Sequence, residues 1–174
     1  MAQTYQRIAS TRLGTNSSSV TLSGIPSSYT DLEILISARS TSAANYANAF
    51  VQFNGDTTSG NYSYVALRGF TSATPTYDGT GSSDVAMQMF IPGASNTTGG
   101  FSHSRIYVVD YVGATNKSGS YVSHAAVTNA STGSYMHATG AFYWVGTSAI
   151  NSITFSGTTF LADSLFQIYG ILKA

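Results

Sequence analysis

The acids and histidines of this chain are few enough to name: Asp31, Glu33, Asp56, Asp78, Asp84, Asp110, Asp163, His103, His124 and His137. Asp31 and Glu33 stand two apart, so on a strand they share one face, as a carboxylate pair working on a glycosidic bond would require. That spacing is common, and Asp31 reads as a strand entry. A Ser-His-Asp relay can be drawn in any serine-rich chain, but no G-x-S-x-G elbow occurs. The histidines are far apart in sequence and lack H-x-H or H-E-x-x-H spacing. Three copies of the chain could each bring one histidine to a three-fold axis. In FNGDTTSGNY, residues 53–62, Asn54, Asp56 and Asn61 surround two glycines. A calcium loop needs more converging oxygens and usually ends on a bidentate acid. Here D-x-[DN]-x-[DN]-G is not met and no Glu follows. Asn54-Gly55 suits a tight turn after a strand, because both residues tolerate positive φ. The expectation is a protein that is not an enzyme, with no cofactor and no metal ligand set.

Composition narrows the classes further. The 174 residues fit one domain. Charged residues are 8% and the formal net charge is +0, while 27 Ser and 22 Thr supply the polar surface. Seven scattered Lys and Arg offer no basic run, so a nucleic-acid partner is not expected. No 18-residue apolar stretch occurs, which argues against a membrane-spanning helix. MAQTYQRIAS has no basic start followed by an apolar stretch, so no secretory signal is read. Cysteine is absent, so neither disulfides nor thiolate zinc clips hold the fold. Five N-x-[ST] triplets, at Asn16, Asn61, Asn96, Asn116 and Asn129, are what a chain this rich in Ser, Thr and Asn produces by chance.

Strand signals dominate the chain. In 32–39, Leu32, Ile34 and Ile36 alternate with Glu33, Leu35 and Ser37. The same period runs through 49–53, through 62–68 (Tyr62, Tyr64, Ala66, Arg68) and through 84–91 (Val85, Met87, Met89, Ile91). Further strands are expected at 4–12, 18–23, 104–112, 120–128, 140–146, 149–156 and 163–172. Gly, Asn, Ser, Thr and Asp clusters separate them. One short helical turn is expected near 42–49, where Ala is dense. Short strands at regular spacing predict an antiparallel sandwich or barrel.

Two stretches read as long loops, 69–83 and 92–103, and loops on a rigid β scaffold often carry binding. Tyr77, Asp78, Asn96 and Phe101 are their candidate contacts. Residues 1–13 read as an N-terminal strand or arm ahead of one domain at 14–174. Tyr5, Arg7 and Arg12 are the contacts it could offer a partner. In AFYWV, alternate rings should fill the core and the others cover a face.

The order of several short motifs resembles small structural proteins of tailed bacteriophages. Tyr5, Ile8 and Leu13 match the opening pattern. Ile25-Pro26, Tyr29-Thr30-Asp31-Leu32, Phe53 with Asp56, and Ile91-Pro92-Gly93-Ala94 follow. Ile150, Ser152-Ile153, Phe160, Ser164, Phe166 and Tyr169-Gly170-Ile171 close it. Gln167-Ile168 departs from the Ser-Leu more usual there. The resemblance spans nearly the whole chain. It implies an all-β, antiparallel β-sandwich of jelly-roll type, with roughly 8–10 strands. It also implies a virion protein: a capsid decoration (cement) protein on the outer surface of the head, a homotrimer bound to the major capsid protein. The alternative it implies is a tail-fibre protein recognising a host glycan. The short chain, beginning directly with a strand and lacking a collar or shaft, favours the decoration protein.

Overall fold

The computed structural model describes the backbone of residues 4–70, 73–84, 86–96, 99–125 and 136–172, and their side chains except at 70, 73–84 and 125. Its strands nest around the middle of the chain. β1 (Tyr5–Arg12) pairs with β12 (Leu165–Ile171), and β2 (Val20–Ser23) with β11 (Ser152–Ser156). β3 (Asp31–Ser37) pairs with β8 (His103–Val109), and β4 (Tyr46–Phe53) with β7 (Met87–Pro92). β12 joins β3, and β11 joins β4. Two antiparallel four-strand layers result, β1-β12-β3-β8 and β2-β11-β4-β7. This is a long hairpin of strands rolled up on itself, the wiring of a jelly roll.

Two insertions widen one layer. β5 (Tyr62–Phe70) and β6 (Ala73–Asp84) lie between β4 and β7 in sequence; β9 (Lys117–Ala125) and β10 (Met136–Trp144) lie between β8 and β11. They continue the first layer past β8 in the order β9-β10-β5-β6, giving a sheet of eight strands facing one of four. Among the described residues there are twelve strands, more than the roughly eight to ten expected.

Alternation explains the core. Leu32, Ile34 and Ile36 of β3, Val51 and Phe53 of β4, and Phe166 and Ile168 of β12 point inward and are buried. Phe142 and Trp144 are buried while Tyr143 between them is 41% exposed, as the AFYWV pattern requires. β7 is buried on both faces, because the widened sheet also packs over Phe90, which joins Met136 and Ala138 in a second apolar cluster. That packing leaves the outer edge of β7 needing partners. Ser123 of β9 supplies them: its Oγ accepts from Phe90 N (2.9 Å) and donates to Phe90 O (2.8 Å).

Two expectations are corrected. Of the stretch 69–83, residues 69–70 end β5 and residues 73–83 make most of β6, an edge strand of the wide sheet, rather than a loop. Pro75 falls where the β5–β6 register slips, between the pairs Arg68–Thr76 and Phe70–Ala73. An edge or a bulge is where a strand tolerates a residue with no N–H. No helical turn forms at 42–49; β4 starts at Tyr46, and Ala47 and Ala49 are its buried positions. Small residues fill that tight interior, and alanine's helix propensity is overridden by packing.

Candidate functional site

The outer face of the eight-stranded sheet gathers the three histidines, Asp31, Glu33, Arg105, Tyr107 and the exposed Tyr143. Its register sets them in rows. One runs His103, His124, His137, Gly69; the next runs Leu35, Arg105, Val122, Thr139, Leu67. A third runs Glu33, Tyr107, Ser120, Ala141, Val65. Small side chains in this third row leave troughs between larger neighbours. One, of about 330 Å³, lies along Arg105, Tyr107, Ser120 and Val122; another, of about 350 Å³, along Ser63, Val65, Ala141 and Tyr143.

The carboxylate pair lies at one side of this face. Asp31 and Glu33 are 1% and 6% exposed. Asp31 accepts from the Tyr107 hydroxyl and, at 2.9 Å, from Asp110 N. Glu33 accepts from Tyr5 Oη at 2.5 Å and is paired with the Arg105 guanidinium. Tyr5 also stacks on Tyr169, with ring centroids 4.7 Å apart. Burial and the bond to Glu33 push the Tyr5 hydroxyl pKa up. The bond to Asp31, then burial, pushes that of Tyr107 up to about 12. Both phenols therefore stay protonated and donate across neutral pH. The two acids are engaged in tying β1, β12, β3 and β8 together, and charge-assisted bonds of this kind are the stronger ones.

Among the described residues, the far half of the face exposes an apolar group on β5 and β10. Val65 is 51% and Leu67 40% exposed, beside the exposed Tyr143. The histidines lie on its border. His103–His124 and His124–His137 ring centroids are 6.1 and 4.5 Å apart. Burial, then the neighbouring His124, pushes the His137 pKa down. Residues remote in sequence are thus adjacent within one chain. Only the pairing register of β8, β9 and β10 reveals it.

FNGDTTSGNY is a brace. Asn54 (φ 53°) and Gly55 (φ 67°) make the expected turn, closed by Asp56 N donating to Phe53 O at 2.9 Å. Asp56 Oδ2 accepts from Trp144 Nε1 (2.7 Å) and Asn61 Nδ2 (2.8 Å), and Oδ1 from Thr58 N (2.9 Å). Burial pushes the Asp56 carboxyl up, but these bonds outweigh it and bring the pKa down to about 2. The Asn54 side chain reaches Ala149 O (2.9 Å) and Asn151 N (2.8 Å). The oxygens a calcium ion would have used already hold the β4–β5 corner to β10 and to the chain before β11.

The other predicted contacts scatter. Arg7 is exposed on β1, and Arg12 makes an exposed ion pair with Asp163 at 3.7 Å. Asn96 is not an exposed loop contact: it is 4% exposed, and its carbonyl accepts from Arg39 Nη2 at 2.8 Å. Phe101 is half-buried. Tyr77 and Asp78 stand on β6 opposite Leu67 and Ala66 rather than in a loop, and their side chains lie outside the described residues.

Sequence reasoning missed Arg39. It is 5% exposed and donates to Ala94 O, Asn96 O and Gly100 O, holding down the 93–102 loop from beneath. Arginine at the end of a strand whose other face is apolar was the available signal.

No family model matches this chain, and no curated protein is found similar to it.

Proposed function

We propose that this is a virion structural protein: a decoration or cement protein that binds the outer surface of a tailed-phage head and stabilises the shell. The observation that carries the reading is the width of the outer sheet face. Eight strands at about 4.8 Å spacing span roughly 34 Å, and seven residues at about 3.3 Å rise to ~23 Å, so the face offers ~800 Å². That matches one side of a standard specific interface, about 800 Å² per partner. Its apolar half (Val65, Leu67, Tyr143) and its near-neutral charge suit docking on a protein shell. The acids Asp31, Glu33 and Asp56 bind neighbouring side chains, which favours a mechanical role over a chemical one. The phage resemblance in the motif order points the same way.

In this reading the chain acts as a homotrimer on the major capsid protein. Linked copies gain avidity, because the second and third dock at high effective concentration. Electron microscopy of purified particles carrying the protein tests it. Density at hundreds of sites on the head supports the proposal. Density confined to a few copies at the tail supports the glycan-binding fibre instead, and absence from particles defeats both.

A further inference from the structure

The ladder sets His103 opposite His124, and His124 opposite His137. Side chains at paired positions on one face have Cβ atoms about 5 Å apart. The His124 and His137 rings have closed to 4.5 Å between centroids, tilted by 34°. His124 Nδ1 lies 3.0 Å from the His103 carbonyl oxygen, so Nδ1 carries the proton and donates, leaving the Nε2 lone pair free. A carbonyl that takes one ring N–H fixes the tautomer and orients the imidazole for a metal on the other nitrogen. On the β5 side His137 faces Gly69, where even an added Cβ would meet nothing within 4 Å. Among the described residues, space for an ion's remaining ligands is therefore open on that side.

We propose that His124 and His137 form a two-histidine site for a first-row transition-metal ion, of the class of Zn²⁺, Ni²⁺ or Cu²⁺, on the outer face of the wide sheet. Imidazole suits these ions. Zinc–nitrogen bonds of about 2.0–2.1 Å put two ligating nitrogens roughly 3.3 Å apart in tetrahedral geometry. Small rotations of half-buried and exposed rings reach that from the observed separation. Among the described residues no three His, Cys, Asp or Glu side chains converge on one point. The site is accordingly a pair, with water or a docked partner's donor completing the shell. Of the groups facing it, Arg105 is the cation one row away on β8, and Val122 and Thr139 are the next residues on β9 and β10. His103 contributes its backbone carbonyl rather than its ring.

The test is calorimetric titration of the untagged full chain with Ni²⁺ and with Zn²⁺, paired with NMR of the histidine ring nitrogens. One ion per chain is expected, with shifts at His124 and His137. His124→Ala and His137→Ala should each weaken binding by at least about tenfold. His103→Ala, which keeps its carbonyl, should stay within about twofold of wild type. Circular dichroism checks that each variant is folded, and His124→Gln serves where the alanine variant is not. Four results would overturn the proposal: no binding at millimolar metal, unchanged affinity in both pair variants, an equal loss in His103→Ala, or one ion per three chains. The last would move the metal to a three-fold axis.

Discussion

Asp56 shows how a residue chosen for possible chemistry can serve structure instead. Its carboxylate joins a turn to the lone tryptophan across 88 residues of sequence. In the folded protein its pKa, about 2, lies below the ordinary aspartate value of 3.8. The carboxylate therefore adds stability above about pH 3.8, and the gain is lost as pH falls through about 2. Replacing Asp56 with Ala should cost roughly 1–2 kcal/mol at neutral pH, the range for losing charge-assisted bonds at a partly screened site. Urea unfolding followed by Trp144 fluorescence measures it. The gap between wild type and variant should narrow on acidification toward pH 2; a constant gap would show that the carboxylate's charge is not the cause. At this scale the turn was readable, because Asn54-Gly55 has few other uses. The partner was not, since no local pattern links residue 56 to residue 144. The histidine row was hidden for the same reason.

At the scale of elements, the alternation of large apolar residues located most strands, and it failed where that contrast was weak. β6 is a run of Thr, Ser, Gly and Asp with a proline, which reads as loop by composition. It is a strand because β5 offers it an open edge. β7 is the reverse case: both faces are buried because the inserted strands extend over it. Ser123 then matters more than a serine in a strand would suggest. Ser123→Ala should leave Phe90 N and O unpaired in a buried place and cost about 1–3 kcal/mol. Hydrogen exchange at the Phe90 amide should speed up more than at β3 amides, and equal protection in both proteins would refute the clip. Arg39 holds the 93–102 loop in a similar way. Arg39→Met keeps most of the stem and removes the donors, with an expected loss of about 2–4 kcal/mol. Exchange should rise across the loop's amides and leave the β1–β12 ladder unchanged.

At the scale of the whole molecule, the nested pairing closes the chain from its ends inward, while the insertions make one layer twice as wide as the other. The all-β class was legible from period-two patterns. The closure was not, because pairings such as β1 with β12 join opposite ends of the sequence; the jelly-roll expectation came from motif order alone. The asymmetry of the layers leaves a broad face, and among the described residues no element covers its far half. On that face the proposed function can be tested without disturbing the fold. Val65 and Leu67 point to solvent, so Val65→Glu and Leu67→Glu should change unfolding free energy by no more than about 0.5 kcal/mol, as usual for surface substitutions. If this half docks on the shell, burying an unpaired carboxylate there should weaken attachment to particles by several kcal/mol per chain. Three linked copies would amplify the loss. Raised salt should leave wild-type attachment nearly unchanged, since few charges meet across such an interface. A co-sedimentation assay on stripped heads reads both effects. Retention of the Glu variants at wild-type levels would mean that the opposite sheet or the loops make the contact. A steep loss of wild-type binding with salt would mean that the Arg105 side of the face carries it.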